Sequence, residues 1–207
     1  MKKVFLQPMT VRIWHWVNAL SFFVLVATGV QIRYRDIPNL TTFKTAVDVH
    51  NFFGFLLIAD FLLWLVYYVF TGKIRVYVPM YPKEFIVGAL RQMRYYGYGI
   101  MIGEKDPHHA TPEEKFNPLQ QSAYFMVMLI LMPLQVVSGI LLWDIRMFVG
   151  WIEMLGGLRV VDIVHVVAFF LLTAFLFVHV YLTTLGRTPL AHIKAMFTGY
   201  EEVEENE

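Results

Sequence analysis

The stretch VVDIVHVVAFFLLTAFLFVHVYLTTL, Val160–Leu185, decides the fold. It exceeds the roughly 20 apolar residues that carry a helix across a bilayer. Within it lie two histidines, His165 and His179, fourteen residues apart. At about 1.5 Å per residue they are separated by roughly 21 Å along a helix axis. Fourteen steps of about 100° return to within roughly 40° of the starting face. Both imidazoles therefore leave one face of one spanning helix, each in a different leaflet. Ligand-type side chains are costly in hydrocarbon and mark function there.

Three further apolar blocks of spanning length lie outward from this one, approximately 13–32, 47–70 and 123–143, with the last block taken as 160–185. Of 207 residues, 57% are hydrophobic and 16% charged, and the mean hydropathy is +0.54. A soluble chain would carry nearer a quarter charged residues. The expectation is an all-α membrane protein, a bundle of four transmembrane helices forming a single domain over 1–200, with a disordered acidic tail at 201–207. The run Met1-Lys2-Lys3 resembles a signal n-region, but the full-length block behind it, opening on Trp14-His15-Trp16, reads as a retained anchor. Cysteine is absent, which excludes disulfides, thiolate metal ligation and the attachment motif of c-type haem. A net charge of +1 without a basic stripe gives no reason to expect nucleic acid.

With four crossings, both termini and the second connection share a side. That side holds twelve basic residues: Lys2, Lys3, Arg12, Lys73, Arg75, Lys83, Arg91, Arg94, Lys105, Lys115, Arg187 and Lys194. The other holds five: Arg33, Arg35, Lys44, Arg146 and Arg159. The positive-inside rule then puts both termini in the cytoplasm. Helix 1 starts inside, placing His15 near the cytoplasmic face. Helix 2 starts outside, placing His50 near the outer face. Depth alone pairs His50 with His165 and His15 with His179. Gly54, Ala19 and Ala168, one turn from His50, His15 and His165, leave room for a flat macrocycle or serve ordinary helix packing. Two imidazoles per level do not complete a tetrahedral zinc site. Bis-histidine haem, held non-covalently as b-type, is the reading, with electron transfer favoured because no axial position stays open.

The connections carry less. Asp36-Ile37-Pro38-Asn39 is a turn signal in the first. In the long second connection, 71–122, Phe85, Ala89, Leu90 and Met93 alternate with Lys83, Arg91 and Arg94, as in a helix over 84–96 lying at the cytoplasmic interface; a packed loop is the alternative. Trp143, Trp151 and Gly156-Gly157 suit an interfacial third connection facing a partner or headgroups, and Trp14, Trp16, Tyr67 and Tyr68 an aromatic belt. Arg12–Gly29 and Gln121–Gly139 share a faint similarity, each ending in Thr/Ser-Gly, as a duplicated helix pair would.

The segments Arg12-Ile-Trp-His15-Trp16, Thr28-Gly29, His50-Asn-Phe-Phe-Gly54, Lys115-Phe-Asn117-Pro118 and His165…His179-Val-Tyr181 resemble the di-haem membrane cytochrome b superfamily over nearly the whole chain. Its members include the formate dehydrogenase gamma subunit, nickel-hydrogenase b-type cytochromes, thiosulfate reductase cytochrome b and bacterial cytochrome b561. The resemblance implies two haem b groups, an inner one on His15 and His179 and an outer one on His50 and His165. It implies a subunit in a bacterial or archaeal cytoplasmic (inner) membrane, working beside an iron–sulfur subunit and a catalytic subunit. In the formate dehydrogenase gamma branch an Asn just before helix 3 helps bind menaquinone, which points to Asn117 as a donor to a quinone carbonyl. That branch has Gly two residues after the Asn, whereas this chain has Leu119. Read from the residues alone, Asn117-Pro118 caps helix 3. Arg12, one turn before His15, serves either a haem propionate or as a positive-inside anchor.

Other polar residues take plainer readings. Asp60 and Gln135 are expected in interhelical hydrogen bonds, and Pro133 to kink helix 3. Met126, Met128 and Met132 are expected in packing. His108, His109 and His192 read as solvated, with His108-His109 beside Asp106 as a second option for proton uptake. The competing functions are a free-standing b561-type cytochrome acting without a stable partner, and a haem-free transporter or membrane anchor.

Overall fold

The computed structural model describes residues 2–34, 40–78, 82–108, 116–185 and 188–203. The turn signal at 36–39, Lys115, His109 and the end of the acidic tail lie outside them. Four helices are long and apolar enough to cross a membrane: α1 (Met9–Arg33), α2 (Phe43–Phe70), the compound span Pro118–Trp143, and α7 (Leu158–Thr183). Each begins before its apolar block does, because polar caps continue the helix beyond the hydrophobic core. Thr42 precedes α2 and its Oγ1 accepts from Thr45 N at 3.2 Å, satisfying one of the donors a helix start leaves open.

The third span has a break in it. It runs as α4 (Pro118–Met126), a π-helical turn (Val127–Leu131) and α5 (Met132–Trp143). Pro133 lies just past the turn; it has no N–H and its ring collides with an unperturbed preceding turn, so the ladder widens by one residue. The disruption expected at Pro133 is thus a π turn upstream of it. Met128 and Met132 are buried as packing residues, while Met126 is exposed.

Two compact units emerge from the contacts. One comprises 10–66 and 131–180, the greater part of the spans. In it, α6 (Val149–Met154) fills the connection between α5 and α7, and Leu141, Ile152 and Val161 form a buried cluster with Leu142 and Phe148 against it. Asp144 starts that connection, its Oδ1 accepting from Arg146 N and Met147 N. Gly156 and Gly157 end it at φ 99° and 96°, a region closed to side chains with a Cβ. Trp143 and Trp151 are exposed.

The second unit comprises 1–9, 67–130 and 181–207. Here β1 (Lys2–Phe5) and β2 (Tyr200–Val203) pair antiparallel, Lys2 opposite Val203 and Phe5 opposite Tyr200. Gly199, between α8 (Ala191–Thr198) and β2, accepts from Leu6 N and Gln7 N. A Cβ on it would lie 2.8 Å from the Phe5 ring. This ribbon is a short addition to a mostly helical fold, and it takes in Glu201–Val203, the first part of the acidic stretch. Strand pairing at the first residues neutralises the backbone polarity that an acidic tail would otherwise leave to water. A helix, α3 (Pro82–Gly97), occupies the second connection. Gly88 lets it approach α4, since a Cβ there would meet Pro118 Cγ at 2.7 Å.

Candidate functional site

The four spanning-helix histidines all belong to the first unit, and each is half-buried. His15 on α1 faces His179 on α7 with ring centroids 6.2 Å apart and planes at 53°. This separation can be set against a metal. Metal–imidazole bonds of about 2 Å, with about 1.1 Å more from ring nitrogen to ring centre, put two trans imidazole centroids about 6 Å apart. The pair therefore fits one iron between its rings. Phe175, one turn before His179, stacks on its ring at 5.6 Å, and Trp16 meets the His15 ring edge-on at 5.2 Å. Next to His15 in the chain, Trp14 lies 6.3 Å from Trp64, which stacks on Phe61.

The other level is built by a repeated device. On α2, His50 Nδ1 lies 2.9 Å from Thr28 Oγ1 of α1. On α7, His165 Nδ1 lies 3.0 Å from Ser138 Oγ of α5. The next residue is glycine in both cases. A Cβ on Gly29 would lie 3.4 Å from His50 Cε1, and on Gly139 3.3 Å from His165 Cε1. A side chain at Gly139 would crowd the His165 ring by a few tenths of an ångström, while one at Gly29 would reach the edge of ordinary contact with His50. His50 and His165 are close enough to interact electrostatically. Beside His50, a Cβ on Gly54 would meet nothing within 4 Å, room of the kind a planar tetrapyrrole edge needs. Gln135 Nε2 lies 3.1 Å from His165 Nε2, while its Oε1 is buried without a partner. That acceptor belongs to the amide that faces His165 Nε2, a ring nitrogen able to take a metal. The donor set of four imidazoles and no thiolate suits haem iron.

Asp60 is buried on α2 and hydrogen-bonds Asn18 of α1, the interhelical role expected of it. Gln135 also bonds across helices, to His165, a partner its sequence position did not reveal. Among the described residues no group of three or more His, Cys, Asp or Glu could hold a bare metal ion.

Asn117 belongs to the other unit and is 2% exposed. It caps α4: its Oδ1 accepts from Gln120 N at 2.8 Å, and Gln120 Oε1 accepts from Asn117 N at 3.2 Å. Its Nδ2 donates to Tyr96 Oη on α3 at 3.1 Å. Tyr96 also bonds Gln92, which is 1% exposed and donates to Asp106 Oδ1 at 3.1 Å. His108 N donates to the same oxygen at 2.9 Å. A continuous polar chain thus links Asp106 to the cap of α4. Burial first, and the Asp106 carboxylate second, push the Tyr96 phenol above its ordinary 10.0. Tyr96 and Gln92 gave no motif in the sequence.

These features define a class: a multi-pass helical membrane protein with paired histidines at two levels of its spanning helices. The chain belongs to the prokaryotic cytochrome b561 family, whose profile it matches over residues 6–199. It is accordingly a haem-binding, electron-transporting membrane cytochrome b. It is 38% identical over 202 residues to the putative cytochrome YdhU of Escherichia coli (strain K12), covering 96% of this chain and 75% of that one. It is 24% identical over 200 residues to a probable Ni/Fe-hydrogenase B-type cytochrome subunit of Rhizobium leguminosarum bv. viciae, covering 87% and 80%. Identity is also 24% over 175 residues with the formate dehydrogenase cytochrome b556 subunit of Haemophilus influenzae, covering 83% and 66%.

Proposed function

We propose that the chain is the di-haem b-type membrane subunit of a quinone-linked oxidoreductase complex. The observation that carries this reading is the recurrence of histidine pairs at both ends of α7, one pair at a centroid spacing of 6.2 Å. Haem iron supplies one-electron redox chemistry when bound. His15 and His179 would hold the inner haem and His50 and His165 the outer, and a centre held by two imidazoles would favour electron transfer over oxygen chemistry. The apolar helices exclude water between the levels. Arg12, one turn from His15, pairs with an inner propionate.

The basic-residue asymmetry orients both termini to the cytoplasm of a bacterial or archaeal cell, in its cytoplasmic membrane. α3 then lies at that interface, offering Ile86, Leu90 and Met93, all exposed, to lipid and Arg91 to headgroups, while Arg94 pairs with Glu104 at 2.7 Å. Relatives named as hydrogenase and formate dehydrogenase cytochrome subunits support a catalytic partner subunit, and the family resemblance adds an iron–sulfur subunit on the outer side. Asn117 donates to a carbonyl of menaquinone or another quinone. Tyr96 engages its Nδ2, which carries a second N–H for that purpose. As Asn117 is buried, quinone entry displaces side chains around it.

The test is His179→Ala. Dithionite-reduced minus oxidised spectra and a pyridine haemochrome assay should show one of two b-type components lost and the other kept. Retention of both would remove His179 from the inner centre. A wild-type chain without a b-type signal would leave a haem-free transporter.

A further inference from the structure

We propose that Thr28 and Ser138 are positioning residues for the axial pair His50 and His165. Each hydroxyl fixes its histidine as the Nδ1–H tautomer, aims Nε2 at the iron, and sets the ferric–ferrous balance of that level alone. The inference rests on the di-haem reading.

A hydroxyl has one hydrogen to give. Thr28 Oγ1 spends its hydrogen on Val24 O at 2.7 Å, with Leu25 O at 3.3 Å. Toward His50 Nδ1, at 2.9 Å, it can then only accept. The hydrogen of this neutral imidazole is therefore on Nδ1, and the lone pair is on Nε2. Ser138 repeats the arrangement, donating to Leu134 O at 2.6 Å, with Gln135 O at 3.2 Å, and accepting from His165 Nδ1 at 3.0 Å. For His165 a second partner gives the same answer from the other side. The Gln135 amide nitrogen is a donor only, so the Nε2 it faces at 3.1 Å must accept.

The device occurs twice, on α1 serving α2 and on α5 serving α7, each time with a glycine next to the hydroxyl and against the ring. A Thr or Ser that merely returned its hydrogen to the preceding turn would not need a histidine within 3.0 Å in both halves. Accepting the Nδ1–H makes an imidazole a stronger donor to metal through its other nitrogen. A stronger donor favours the ferric state, so deleting the acceptor shifts the balance toward ferrous. The two halves differ at one point. Gln135 covers the coordinating nitrogen of His165 and must swing away on metal binding, whereas the matching place three residues before Thr28 is Leu25.

The experiment is a potentiometric titration, followed optically, of the full-length purified chain and its Thr28→Val, Ser138→Ala, Thr28→Ser and Ser138→Thr variants. Haem per chain is measured alongside. Thr28→Val and Ser138→Ala should shift one component, the one His165→Ala removes, two- to tenfold toward ferrous. That is about 20 to 60 mV at about 59 mV per tenfold for one electron. Thr28→Ser and Ser138→Thr should restore the wild-type value. Loss of that component in Thr28→Val or Ser138→Ala, with retention in the hydroxyl-keeping variants, supports the same assignment. Unmoved potentials at full haem content, or a shift in the other component, would overturn it. A wild-type chain lacking haem would instead defeat the di-haem reading, so the two failures are distinguishable.

Discussion

Gly139 is where a single methyl group should tell a metal-bound imidazole from a free one. In Gly139→Ala the new Cβ would stand 3.3 Å from His165 Cε1 and 3.8 Å from Nδ1. Carbon atoms prefer about 3.5–4.0 Å, so the ring must retreat by a few tenths of an ångström. At Gly29 the same methyl stands 3.4 Å from His50 Cε1, at the edge of ordinary contact. An unliganded ring tilts at little cost. A ring whose Nε2 holds iron tilts only by bending that bond. Gly139→Val adds two methyl groups to the same contact, and overpacking of this kind costs about 1–3 kcal/mol. At about 1.4 kcal/mol per tenfold, haem affinity at that level should fall roughly 5- to 150-fold. Gly139→Ala should lose about fivefold or less, and Gly29→Ala less again. The assay is haemin titration of the apoprotein in detergent, with the two components resolved by reduced-minus-oxidised spectra. Replacing a helical glycine gains up to about 1 kcal/mol of helix propensity, so apoprotein melting should not fall in step with affinity. Wild-type affinity for both haems in Gly139→Val would refute the placement of His165 as a ligand held flat against α5.

Two further outcomes concern the Asn117 chain. Asn117→Ala removes the cap acceptor and should cost about 1 kcal/mol of stability, whereas Asn117→Ser keeps a cap acceptor and loses the amide donor. If Asn117 binds quinone, Asn117→Ser melts closer to wild type than Asn117→Ala yet turns over quinone as poorly with both haems present; normal turnover would confine the residue to capping. For Tyr96 the sign follows from a raised folded value: protonated phenol is the favoured native form, so the stability it contributes is complete below pH 10.0 and lost as pH climbs through the higher folded value. Thermal melts of the wild type should therefore decline above about pH 10 more steeply than those of Tyr96→Phe; parallel curves would contradict the buried Tyr96–Asp106 coupling.

Much of this architecture could be read from the chain because lipid imposes simple rules. The length of apolar runs located all four spans, and depth paired His15 with His179 before any contact was known. Asn117-Pro118 announced a cap, and the cap is there. What could not be read depended on partners distant in sequence. The Thr28-Gly29 and Ser138-Gly139 steps were visible as a repeat, but their bond to His50 and His165 exists only once α1 packs on α2 and α5 on α7. Gln92 carried no signal in the sequence, because its burial depends on Asp106, fourteen residues further along the chain. The β1–β2 ribbon joins residues near opposite ends of the chain, and neither Lys2–Phe5 nor Tyr200–Val203 announces a strand alone.

The central claim is two irons, each held between histidines of facing helices. Haem extraction from purified, cofactor-replete protein, quantified as pyridine haemochrome against chain concentration, measures this directly. The account predicts two haem b per chain, resolving into two one-electron components. A ratio of one would remove one histidine pair from ligation, and a ratio of zero would contradict the account altogether.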